Sequence, residues 1–146
     1  MQRGHDFGER LYNAFGDVFS RGFDRAVLIG IECPGLSAGY IRQALGELGD
    51  HDAVIGPDRV GGYCLIALHE RSLRADFFKN ISWGTSRVLV ETVGRIEDAL
   101  MELSILDQME RISGVEDLAR LAGEGVSAPR HTRQFLEQHR DILPGI

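Results

Sequence analysis

Cysteine is scarce in this sequence: Cys33 and Cys64 are the only two among 146 residues. Two cysteines cannot build the disulfide framework of a small secreted domain, and each lies in or beside an apolar run, as a buried free thiol does. A reducing, cytoplasmic setting is therefore the expectation. The first residues, Met1-Gln-Arg-Gly-His-Asp6, hold no apolar stretch of the kind a signal peptide needs, and the longest apolar runs fall far short of a bilayer span. No run of Lys or Arg occurs, and the formal net charge is -6. Nucleic acid is thus not an expected partner, because binding a phosphate backbone requires a concentrated basic surface. The histidines at 5, 51, 69, 131 and 139 are dispersed, so the clustered ligands of a zinc site are missing. Also missing are G-x-S-x-G, a Walker A loop and G-x-G-x-x-G.

What is present is enough apolar material, 43% of residues, for one packed domain over 1–146. Residues 5–21 carry Phe7, Leu11, Phe15 and Val18 at helical spacing, with Gly22 as a stop. Ala26 to Ile31 is a continuous apolar run, expected to be a central strand of a parallel sheet covered on both faces. Ser37 can cap a helix whose inner face is Ile41, Leu45 and Leu48. Strands are expected at 53–55 and 63–68, and a short helix or turn at 71–79. The longest helix is expected to start at Thr85 or Ser86, with Leu89, Val93, Ile96, Leu100 and Leu103 on one face. A strand follows within 104–109. Ser113-Gly-Val-Glu116 reads as a capping box. A Gly/Ser/Pro linker at 124–129 then leads to a helix over 130–140 anchored by Phe135 and Leu136. Strands alternating with helices predict an α/β layered fold.

Three places can carry chemistry. Open α/β sheets bind ligands beyond the carboxyl ends of their strands, and Glu32 follows such an end. Its carboxylate can hold Mg²⁺ or Mn²⁺, or it can be a solvated loop acid. Gly56-Pro-Asp-Arg-Val-Gly-Gly-Tyr63 suits either close backbone approach to a ligand or a plain turn, with Asp58 and Arg59 able to charge its mouth. Trp83, ahead of a helix start at Thr85, can stack on a sugar or base beside an anion, or simply pack on the sheet. Cys33 is exposed in this reading but has no partner base that would make it a nucleophile.

In order, Gly4-His-Asp-Phe-Gly-Glu-Arg-Leu11, Leu28-Ile-Gly-Ile-Glu-Cys-Pro-Gly-Leu36, Ile55-Gly-Pro57 with Gly61-Gly-Tyr-Cys-Leu-Ile66, Phe78 with Trp83-Gly-Thr85, and Val115-Glu-Asp-Leu118 resemble the DUF2064 family. That resemblance covers about residues 2–118 and makes 1–123 the family-like core, with 124–146 a linker and terminal helix. It implies a three-layer α/β/α sandwich with a mostly parallel, mixed sheet, of the GT-A nucleotide-diphospho-sugar transferase type. Some members are assigned as glycosyltransferases of arsenosugar biosynthesis, and relatives include the molybdenum-cofactor and phospholactate guanylyltransferases. The ligand-binding positions it implies are Glu32, Pro34, Gly61, Gly62, Tyr63, Trp83, Thr85 and Arg111.

The sequence departs from the family pattern at its acids. The family's Asp after the central strand is Glu32 here. The acid before the paired glycines is Val60, and two acids ahead of Val115 are replaced by Arg111 and Ser113. A cation at 111 would repel a divalent metal but can bind phosphate directly. The strand–loop–helix units that carry the nucleotide in this fold are expected to be missing ahead of residue 4. A sheet cut there exposes an edge, so self-association or a partner chain over that edge is expected, and a monomer by light scattering would overturn it. Three readings follow from these departures: an active nucleotide-sugar-dependent glycosyltransferase, a degenerate member that binds a small phosphorylated or sugar ligand or a protein, and a subunit whose partner supplies the nucleotide half.

Overall fold

The computed structural model describes residues 3–123 and 129–139. Helix α1, Phe7–Phe19, starts on reciprocal capping: Asp6 accepts from the Glu9 amide at 2.7 Å, and Glu9 accepts from the His5 amide at 2.8 Å. It buries Phe15 and Phe19 against the sheet. Strand β1 is Arg25–Ile29, helix α2 is Ala38–Glu47, and strands β2 and β3 are Ala53–Pro57 and Tyr63–His69. Two 3₁₀ turns, Glu70–Ser72 and Ala75–Phe77, lead to helix α3, Val88–Asp98, and the short strand β4, Leu103–Ile105. Helices α4, Val115–Gly123, and α5, Arg130–Gln138, complete the described chain.

The strand order is β1-β3-β2-β4. β3 runs antiparallel to both β1 and β2, and β4 runs parallel to β2, so the sheet is mixed with three strands pointing one way. Cross-strand register sorts the side chains into two faces. Ala26, Leu28, Ala53, Ile55, Ile66 and Leu68 meet α1, α3 and the Phe77–Phe78 turn. Val27, Val54 and Ala67 face α2 through Tyr40, Ala44 and Leu48. This is the expected α/β/α sandwich. At about 1.5–3 kcal/mol for each large apolar side chain fully buried, these two layers dominate the stabilisation.

Several expectations change. β1 is not central: it lies at the edge of the described sheet and pairs antiparallel, because the 58–62 hairpin folds β3 in between β1 and β2. An apolar run alone does not distinguish these positions. The outer side of β1 has no strand partner among the described residues, and Ile29 and Ile31 are 50% and 96% exposed. α3 has 11 residues, fewer than the 13 of α1; it starts at Val88 and stops where Leu100 takes a positive φ of 56°. The carboxylate that accepts from the Ser113 amide belongs to Asp117, not Glu116. On α5 only Leu136 is buried, in a small cluster with Leu121; Phe135 points outward and stacks on His139. The expected linker at 124–129 lies outside the described residues save for Pro129, as does residue 140.

Candidate functional site

At the carboxyl end of β1 the chain must leave the sheet beside β3. Gly30 donates to the Cys64 carbonyl at 2.7 Å, which carries the exit along β3 for one more residue. The bare Cα of Gly30 leaves room for Glu32: a Cβ there would stand 2.7 Å from Glu32 Oε2. The Glu32 carbonyl accepts from the Ile112 amide at 2.8 Å, so the segment holding Arg111 runs beside this loop. Between this exit, α1 and the turn before α3 lies a cleft of about 560 Å³. That volume is in the range of ordinary small-molecule sites.

The cleft has an apolar and an ionic part. Phe7, Leu11 and Ala14 of α1 and Tyr63, Trp83 and Val88 line the apolar part. Trp83 meets Phe7 edge-on at 4.9 Å between ring centroids and Tyr63 at 6.5 Å. Burial pushes the Tyr63 phenol up to about 12, opposed by its contact with the Thr92 hydroxyl. Glu32, Arg10 and Arg111 supply the charges.

Of the predicted site residues, Glu32, Gly62, Tyr63, Trp83, Thr85 and Arg111 line this cleft, and Pro34 and Gly61 do not. Gly61 has a local duty. Its φ is +90°, and a Cβ on it would stand 2.3 Å from the Ser86 carbonyl oxygen, so only glycine lets the hairpin sit on the turn before α3. Thr85 does not cap α3. Its hydroxyl donates to the Ser82 carbonyl at 2.7 Å and accepts from the Arg87 amide at 3.2 Å, closing a turn ahead of the helix. Glu91 secures the same turn, accepting from the Ser82 amide at 2.7 Å and pairing with Arg87 Nε at 2.9 Å. The Ser82 amide is the main reason its carboxyl lies below the usual range. Sequence reasoning missed Phe7, Leu11 and Ala14 as cleft residues. The helical spacing of Phe7 and Leu11 is visible, but the same apolar stripe continues into the core as Phe15.

Asp58 and Arg59 do not charge the mouth. Asp58 is 1% exposed and spends its Oδ1 on the amides of Val60, at 2.9 Å, and Gly62, at 2.7 Å. Such an Asx turn is the usual local use of an aspartate in a hairpin loop. Its Oδ2 pairs with Arg111 Nη1 at 3.3 Å, and Arg111 Nε is buried without a hydrogen-bond partner. Arg59 turns away to Glu110 at 2.7 Å.

Cys33 is not exposed: it is buried at 5% and Cys64 at 3%, and the Cys64 thiol donates to the Gly56 carbonyl at 3.5 Å. The neighbouring Cys64 thiol and burial raise the Cys33 thiol well above its usual value, and the Cys33 thiol in turn lowers Cys64.

The residues present do not fit a resident divalent cation. Glu32 is the only carboxylate lining the cleft, Asp58 is consumed by its loop and Arg111, and no group of three or more His, Cys, Asp or Glu converges among the described residues. A single exposed carboxylate beside a guanidinium is a poor cage for a hard cation.

The family model for DUF2064, described as an uncharacterized protein conserved in bacteria, matches residues 1–85. The chain belongs to the DUF2064 family. The matched part takes in every predicted site residue except Arg111. A crystal structure from Desulfovibrio desulfuricans G20, of a protein provisionally named a nucleotide-diphospho-sugar transferase, is similar at 33% identity and a TM-score of 0.89. The alignment covers 97% of this chain and 63% of that one, so this chain spans a little under two thirds of the length of the solved family-like protein. No curated protein matches. DUF2064 membership and this structural likeness together give the chain a glycosyltransferase-like fold.

Proposed function

We propose that the cleft binds a small phosphorylated sugar without a divalent metal, and that this chain by itself does not transfer it. The observation that carries this reading is the pairing, in one cleft, of an aromatic wall of Phe7, Tyr63 and Trp83 with Glu32, Arg10 and Arg111. The C–H faces of a sugar ring stack on aromatic rings, and its hydroxyls donate to a carboxylate. The phosphate is taken by guanidinium groups, whose planar donor fork suits it. Arg111 already has Asp58 as one partner, so it arrives oriented, with further N–H groups to give. What the set lacks is a means of stabilising a departing diphosphate: one free carboxylate and no companion acids.

An active nucleotide-sugar-dependent glycosyltransferase is the second reading. It is favoured by the likeness to the provisionally named nucleotide-diphospho-sugar transferase and by Glu32 at a strand's carboxyl end. Calorimetry with sugar phosphates and nucleotide sugars, each with and without Mn²⁺, separates the two. Metal-independent binding of a sugar phosphate, weakened in Arg111→Ala, is the expected outcome. Binding that requires Mn²⁺ and vanishes in Glu32→Ala overturns the proposal in favour of the enzyme.

A further inference from the structure

The free side of β1 can be worked out from its paired side. The Glu70 amide donates to the Asp24 carbonyl at 2.9 Å, and the Gly30 amide donates to the Cys64 carbonyl at 2.7 Å. In an antiparallel ladder alternate residues exchange bonds with the neighbouring strand, so residues 24, 26, 28 and 30 serve β3. The amides and carbonyls of Arg25, Val27 and Ile29 therefore point the other way, where no strand stands among the described residues. Exposed edges are ordinarily guarded by lysine, proline or a bulge. β1, Arg-Ala-Val-Leu-Ile, has none of these, and its register with β3 is unbroken. Exposed apolar side chains mark it instead: Phe23 at 58% just before it, Ile29 at 50% at its end and Ile31 at 96% just after.

We propose that this edge pairs with the same edge of a second copy, antiparallel about a two-fold axis at Val27, so that two four-stranded sheets continue as one. Such an interface is self-complementary, as a two-fold requires. Val27 faces Val27 of the second copy and Arg25 faces its Ile29, so every outward main-chain group of the strand finds a partner. One odd-numbered step further out, Phe23 meets Ile31 of the other copy, and the exposed apolar residues cover each other. Charge favours the same orientation. The approach to β1 carries Arg21, Asp24 and Arg25, two cations and one anion, and its exit carries Glu32. Antiparallel pairing brings the net positive end to the negative one, whereas parallel pairing sets Arg25 beside Arg25. Ile29, Gly30 and Ile31 also line the cleft, so Phe23 of the second copy adds to the cleft's open edge.

The test is light scattering of the chromatographed protein at micromolar concentration, and the expected mass is twice the 16.2 kDa of one chain. Proline is tolerated on an edge strand where the amide faces away from the ladder, so Val27→Pro keeps the bonds to β3. It is expected to give a monomer that is folded by circular dichroism. Ile31→Lys, at a position almost wholly in solvent, is the second probe and decides alone if the proline variant does not fold. It is expected to weaken the dimer on the order of tenfold, through one lost contact at each of two symmetric places and a charge on the edge. The register is read from the double variant Arg25→Cys/Ile29→Cys, since facing Cα atoms about 5.5 Å apart lie within disulfide reach. Mild oxidation is expected to give a covalent dimer. A monomeric parent overturns the proposal. So does a dimer unaffected by a folded Val27→Pro or by Ile31→Lys, or one that the paired cysteines fail to cross-link. A different polypeptide found in place of the second copy assigns the edge to another partner and overturns it too.

Discussion

The loop over 30–36 and the hairpin over 58–62 leave the same end of the sheet, because β1 and β2 run in the same direction. Each bears one acid just past its strand. Asp58 is 1% exposed and satisfied by two amides and a guanidinium. Glu32 is solvent-exposed on the cleft and held in place by its main chain alone. Side-chain length helps to decide this difference. Aspartate is short enough to hydrogen-bond the backbone two residues on, and glutamate extends past it. One acid therefore serves the fold, and the other is left for a ligand.

That contrast can be broken most directly at Asp58. Asp58→Ala strands the buried Gly62 amide, the part-buried Val60 amide and the Arg111 charge, and is expected to cost about 3 kcal/mol, since Arg111 keeps some solvent. Asp58→Asn retains an acceptor for the amides and is expected to recover part of that loss. Urea unfolding measures both, and an Ala variant as stable as the parent would show that the hairpin does not depend on its acid. Next in size is Gly61→Ala. The positive φ and the blocked approach to Ser86 set an expected loss of about 2 kcal/mol by the same measurement.

Glu32→Gln sharpens the other side of the comparison. Stability is expected to move by less than about 0.5 kcal/mol, as for an ordinary surface change. Sugar-phosphate affinity by calorimetry is expected to fall about tenfold, the worth of one hydrogen bond to a charged group. The smallest effect belongs to Glu91. Its carboxyl titrates lower in the folded chain than in the unfolded one. Its contribution is therefore complete above the ordinary glutamate pKa of about 4.3 and fades as pH falls through the lower folded value. Glu91→Gln is expected to lower the urea midpoint at pH 7 and to converge on the parent in acid.

Much of the architecture was legible because the physics is local. Ser37 does cap α2, accepting from the Tyr40 amide at 3.2 Å, and the strands expected at 53–55 and 63–68 form as β2 and β3. The position of β1 was not legible. Burial on one side and exposure on the other depend on which strand comes next to it, and that was set by a hairpin loop further along the chain. The cleft shows the same division. Glu32, Tyr63 and Trp83 stand at strand ends and turns, where ligand sites are sought. Phe7, Leu11 and Ala14 look like any core stripe until α1 overhangs the sheet edge. The fates of Asp58 and Arg111 required knowing that residues 53 apart in sequence meet.

The contact between Gly61 and the turn before α3 has a mechanical side. The Leu89 amide donates to the Gly61 carbonyl at 2.9 Å, so the hairpin is bonded to the first turn of α3 and lies against the turn before it. The wall carrying Tyr63 and Trp83 thus behaves as a fixed jaw, braced against the sheet. The opposite jaw, the loop bearing Glu32, is tied to β3 by one main-chain bond at Gly30 and to the segment before α4 by one at Glu32. A guest of unfamiliar girth would be accommodated by the looser jaw alone, and selection by size would reside in how far that one loop can swing.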